Sequence, residues 1–103
     1  MTPLKSLLIG EGSVLVRCSE VLLAKGHRVK AVVSSDVMVR SWATKAGVEH
    51  YELDEAVALA SQLEFDLLLS IGNYRLIPDA LLKRARRMSI NYHYGPLPEY
   101  SGL

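Results

Sequence analysis

One cysteine, Cys18, occurs in the 103 residues. A single thiol excludes an intrachain disulfide framework and suits a reducing cytoplasm, the compartment expected here. An excess of one charge is also lacking, since twelve basic residues stand against eleven acidic ones for a formal net charge of +1. A dedicated nucleic-acid binder would carry a basic surplus, so none is expected. No apolar run approaches the roughly 18 residues of a membrane span. Lys5 is followed by too few apolar residues before Glu11 to make the apolar stretch of a signal peptide. Repeats, linkers and low-complexity tracts are absent. What is present is a globular balance, 50% hydrophobic and 22% charged, in a length that accommodates one domain, residues 1–103. A domain of this size buries about two-thirds of its unfolded surface, enough for a modest core without staples.

The chain reads as alternating strands and helices. Leu4–Ile9 is a short, nearly continuous apolar run, the pattern of a strand covered on both faces. Ser13 is placed to cap a helix whose Val14, Cys18, Val21 and Leu22 lie on one face, and Lys25-Gly26 closes it. Val29–Val33 is a second strand, and Asp36 is placed to cap a helix that runs to Ala46 and closes at Gly47. A short strand around Val48–Tyr51 precedes a helix opened by Asp54 and running to about Leu63. Asp66–Ile71 is the fourth strand. Pro78 then starts a helix to about Arg86, and Met88–Asn91 is a fifth, buried strand. The βαβαβαβαβ pattern demands a parallel sheet with right-handed crossovers, a Rossmann-like doubly wound α/β fold with predicted strand order 3-2-1-4-5. Ligands of such sheets bind beyond the carboxyl ends of the strands, where strand order reverses. Gly10–Ser13, Gly72–Ile77 and everything after Ile90 share that rim.

Gly10-Glu11-Gly12 is half of a dinucleotide fingerprint, but Leu15 replaces the third glycine and Glu11 puts a negative charge where a pyrophosphate would sit. A plain tight turn is the simpler account, although N–H groups at a helix start can bind an anion. Lys83-Arg84-Ala85-Arg86-Arg87 reads as a solvated helix end that offsets the macrodipole rather than as a nucleic-acid arm. His27 and His50 have no ligand-type partners at metal spacing and are expected at the surface. Trp42, with Val39 and Ala46 on its helical face, is expected to pack. The closing segment differs. Residues two apart on a strand share a face, so extended backbone through position 93 would send the Asn91 amide and the His93 imidazole into one cleft. The plainer reading of the pair is an asparagine at a strand end and a partly exposed histidine.

Asn91-Tyr92-His93-Tyr94-Gly95-Pro96-Leu97-Pro98-Glu99-Tyr100-Ser101-Gly102 is similar to the active-site signature of the 10-formyltetrahydrofolate-dependent formyltransferases. That family's common form is Asn-Ile-His-Pro-Ser-Leu-Leu-Pro-x-Tyr-x-Gly. Asn91, His93, Leu97, Pro98, Tyr100 and Gly102 are in register, with Gly95-Pro96 in place of Ser-Leu. The His-x-Gly-Pro-Leu-Pro variant most resembles formyltransferase domains fused to amino-acid-activating or peptide-synthetase modules. Gly72, Asn73, Tyr74, Arg75, Leu76 and Ile77 occupy the place of the family's folate-lining Tyr-Gly-x-Ile-Leu-Pro loop, a weaker match. The resemblance implies formyl transfer from 10-formyltetrahydrofolate to an amine, either a small molecule or a carrier-bound aminoacyl group. Asn91 would donate to the formyl oxygen as the tetrahedral intermediate forms, and His93 would stabilise the same oxyanion. Gly10, Glu11, Gly12 and Ser13, together with Gly95, Leu97 and Pro98, would border the acceptor.

In that family a third catalytic group, an aspartate in an Asp-x-Gly segment, follows the histidine by a few dozen residues, whereas this sequence stops ten residues after His93. The expectation is therefore the N-terminal half of a formyltransferase domain, with His93 near an unperturbed pKa of about 6.5 and the chain by itself turning over little or not at all. Two other readings stand beside it. One is a non-catalytic nucleotide- or anion-binding Rossmann-like module that uses the Gly10–Ser13 turn. The other is self-association through an uncovered fifth strand.

Overall fold

The computed structural model describes residues 2–92. Along the described chain run β1 (Lys5–Gly10), α1 (Ser13–Ala24), β2 (Arg28–Val33), α2 (Val37–Ala46) and β3 (His50–Tyr51). They are followed by α3 (Leu53–Ala58), a 3-10 turn at Ala60–Gln62, β4 (Phe65–Ile71), α4 (Asp79–Leu82) and β5 (Ala85–Tyr92). Every strand pairing is parallel and the order is β3-β2-β1-β4-β5, a Rossmann-like doubly wound sheet. No helix among the described residues is long and apolar enough to cross a membrane.

The continuous apolar run of β1 is explained by its central position. Leu7 and Ile9 join Ala31, Val33, Phe65, Leu68 and Leu81 in a core beneath α3 and α4. Leu8 points the other way, into a second core with Leu15, Val32, Val39, Ala43 and Ile71 beneath α1 and α2. A strand with helices on both faces has no polar side to present, so alternation disappears. Trp42 packs against the second core, as expected.

Several local expectations are corrected. Ser13 is the first residue of α1 rather than its cap; the cap position is Gly12, with no side-chain bond. Of the predicted apolar face, Val14, Cys18 and Leu22 pack on the core, but Val21 is half exposed, and the fully buried positions are Leu15 and Ser19. The helix assigned to Asp54 starts at Leu53 after Glu52, whose N–H is accepted by the Glu55 carboxylate (2.8 Å), and it breaks at Ala58. The third strand is limited to His50–Tyr51.

The largest difference lies in the basic run. α4 ends at Leu82, a single turn with Lys83 at its C-cap, and β5 already begins at Ala85, so Arg86 and Arg87 lie on a strand rather than at a helix end. Arg84 instead donates to the carbonyls of Ser61 and Leu63 at 3.1–3.3 Å, and Arg86 pairs with Glu64 at 2.7 Å. β5 is also not buried: from Arg86 onward every described residue is exposed. Among the described residues it is the outermost strand, with a neighbour on one side only. The histidines are not simple surface residues either. Partly buried His27 accepts the Leu4 N–H at Nδ1 (3.0 Å), and His50 meets Thr44 Oγ1 through Nε2 (3.1 Å).

Candidate functional site

The rim at the carboxyl ends of the strands is built around close backbone contact between β1 and β4. Gly10 has φ +147°, and a Cβ there would lie 1.7 Å from the Ile71 carbonyl oxygen. Only glycine permits that approach. It lets the Glu11 N–H donate to the same oxygen at 3.2 Å. The Gly12 N–H is also engaged, donating to Asp36 Oδ2 at 2.9 Å, while Asp36 Oδ1 caps α2 by accepting from Met38 N–H at 2.9 Å. One carboxylate thus ties the first turn to the second helix. The Gly10–Ser13 turn is thereby a structural joint, with two of its N–H groups committed and Asp36 beside it.

Beyond β4 the chain turns at Gly72 (φ +62°) and makes a loop that Asn73 closes on itself. The Asn73 amide nitrogen donates to the Arg75 carbonyl at 2.7 Å, and its oxygen accepts the Arg75 N–H at 3.2 Å. This places Arg75, Leu76 and Ile77 along a pocket of about 330 Å³ between the ends of β4 and β5. Its walls are Leu68, Leu76, Ile77, Ile90 and Leu82, with Ser70, Ser89, Asn73, Arg75 and Asn91 supplying the polar groups. Ser70 and Asn91 are register partners of β4 and β5. Among the described residues the Asn91 side chain has no hydrogen-bond partner, so its amide faces the pocket uncommitted.

Of the expected residues, Asn91, Asn73, Arg75, Leu76 and Ile77 converge. Gly72 shapes the loop without lining the pocket, and Tyr74 points outward, 76% exposed. The Gly10–Ser13 turn does not line it either, because the pocket lies one strand beyond the β1–β4 switch point. His93, Gly95, Leu97 and Pro98 lie outside the described residues. Ser70, Leu68, Ser89, Ile90 and Leu82 were not anticipated. Period-two alternation back from Asn91 would have found Ser89, but Ser70 needs the register of a non-consecutive strand pair.

The Tyr51 phenol is held above its usual 10.0 by its hydrogen bond to Glu49 and then by burial. Among the described residues no group of three or more His, Cys, Asp or Glu side chains is placed to hold a metal ion. The fold and the rim define a Rossmann-like parallel α/β protein with a pocket built by β4, β5 and the loop between β4 and α4. No model of a known protein family matches the chain, and no curated protein matches it.

Proposed function

We propose that the β4–β5 pocket binds a reduced folate and that the chain contributes the donor side of a formyl transfer to an amine. The observation that carries this reading is the convergence of Asn91 with the Asn73–Ile77 loop on a single cleft, the two segments that the sequence resemblance pairs. The lining suits a flat, polar-edged heterocycle. Leu68, Leu76, Ile77 and Leu82 offer apolar faces, the hydroxyls of Ser70 and Ser89 offer edge contacts, and Arg75 offers a cation for a carboxylate tail. A volume of about 330 Å³ matches a ring system rather than an entire folate, at the lower end of ligand pockets.

In the reaction, the amine nitrogen attacks the formyl carbon, and the bond to the donor nitrogen breaks as that nitrogen takes up a proton. The negative charge gathers on the formyl oxygen in between. An Asn91 N–H aimed at that oxygen stabilises the intermediate more than the ground state, which is the condition for catalysis. The proton lost by the amine needs an acceptor, and by resemblance His93, protonated or shuttling a proton, would stabilise the same oxyanion.

The anion-binding alternative is less well served. The turn it relies on has its Glu11 and Gly12 N–H groups already bonded to Ile71 and Asp36, and a carboxylate stands at its mouth. Calorimetric titration of the 103-residue chain with 5-formyltetrahydrofolate, with NAD and with ATP separates the two readings. Folate binding that Arg75→Ala and Leu76→Asp weaken is expected. Nucleotide binding without folate binding would replace this proposal with the alternative.

A further inference from the structure

The amino end of α1 carries no anion of its own. Its cap position is Gly12, which has no side chain to accept a first-turn N–H, and no acidic residue stands in the first turn. Such a helix start gathers N–H groups and the positive end of the macrodipole, the arrangement that seats a ligand phosphate at the first turn of dinucleotide-binding α/β sheets.

Here an anion of the protein stands in that place. Asp36, half-buried just beyond the end of β2, accepts the Gly12 N–H through Oδ2 at 2.9 Å and the Met38 N–H through Oδ1 at 2.9 Å. Its backbone is fixed on both sides: its N–H donates to the hydroxyl of buried Ser34 at 3.0 Å, and its carbonyl accepts the Arg40 N–H at 3.0 Å. The carboxylate is therefore held against the turn by both of its oxygens. To admit a phosphate on the same N–H, it would have to swing away and give up both bonds, leaving the α2 cap empty. If it stayed, two anions would share one N–H. No cation on the turn itself offsets them, since Gly10–Val16 contains neither Lys nor Arg and does contain Glu11.

We infer that Asp36 is a specificity-determining residue: its carboxylate fills the anion position of the Gly10–Ser13 turn, and the amine that receives the formyl group carries no phosphate at that turn. The first half rests on the hydrogen bonds alone. The second half deepens the proposed function and rests on it, because the sequence resemblance is what places the acceptor beside Gly10–Ser13. The acceptor class that remains is a free or carrier-bound aminoacyl group rather than a phosphorylated sugar or nucleotide amine.

Thermal unfolding of the 103-residue chain in inorganic phosphate, against chloride at equal ionic strength, tests the assignment. Phosphate stabilises most proteins a little by exclusion from their surface, so the reading is the difference between variant and wild type. Asp36→Ala vacates the anion position. Phosphate should then raise its midpoint saturably and by several degrees more than that of the wild type, as a ligand of the folded state does. Calorimetry should show phosphate binding to Asp36→Ala and none to the wild type. Asp36→Ser, which supplies one oxygen to cap α2 and no charge for the Gly12 N–H, should behave in the same way and stands in for Asp36→Ala if that variant does not fold. Saturable phosphate binding by the wild type, or no phosphate effect on either variant beyond that on the wild type, would overturn the assignment. Titration with 5-formyltetrahydrofolate is read separately: a chain that binds no folate loses formyl transfer, and with it the statement about the amine, whatever phosphate does at Asp36.

Discussion

Ser70 and Asn91 are register partners at the carboxyl ends of β4 and β5, and both line the pocket on the face that carries α4. Ser70 is buried and Asn91 exposed, so the pair forms a polar step from the pocket floor to its mouth. Wherever this chain supports formyl transfer, Asn91→Ala should lower kcat by about 10²–10³-fold, the loss typical of one oxyanion donor. Donor affinity should stay unchanged. Steady-state kinetics beside calorimetry checks the split, and a loss confined to affinity would make Asn91 a wall residue.

Gly10→Ala should be among the most disruptive single changes. The methyl group would sit 1.7 Å from the Ile71 carbonyl oxygen at a φ of +147°. That oxygen belongs to the sheet and cannot move aside cheaply. A loss of about 3 kcal/mol or more is expected from overpacking and backbone strain together. Urea unfolding, with the midpoint falling at constant slope, measures it.

Asp36→Ala removes two bonds of different kinds. The cap on Met38 N–H accounts for about 1 kcal/mol, and the tie to Gly12 N–H is a further charge-assisted bond. Thermal unfolding should show a destabilisation of about 2 kcal/mol. Asp36→Asn should recover part of it, since an amide oxygen still accepts one of the two bonds.

Arg84 and Arg86 sit two residues apart and should behave differently. Arg84→Ala strips the Ser61 and Leu63 carbonyls of their donor and should cost about 1–3 kcal/mol. Arg86→Ala breaks an ion pair with Glu64 whose side chains are 57% and 65% exposed, and should stay within about 0.5 kcal/mol. Chemical denaturation of the two variants side by side makes the comparison, and equal effects would contradict it.

The strands and their order were legible because hydrophobic pattern and turn residues spoke together. Leu4–Ile9 read as a doubly covered strand and Val29–Val33 as a second strand, Asp36 and Gly47 bracket α2 as expected, and the alternation of strands and helices dictated a parallel sheet. Half of the pocket was legible as well, through Asn91 and the Asn73–Ile77 loop. Where local reading failed, a distant partner had intervened. The cations at positions 83–87 look like a helix terminus in isolation, but Arg84 binds the carbonyls of Ser61 and Leu63 just before β5, and Arg86, inside β5, pairs with the carboxylate of Glu64.

By itself the sequence determined the alternation of elements, the parallel topology and the segments that reach the rim, because periodicity and capping act over a few residues. Only the tertiary structure decided that the glycine turn is a joint, that Ser70 stands beside Asn91, and that Arg84 reaches the carbonyls of Ser61 and Leu63. Each of these depends on residues brought together from far along the chain: Gly12 with Asp36, β4 with β5, and Arg84 with Ser61 and Leu63. Local pattern carries no record of such contacts.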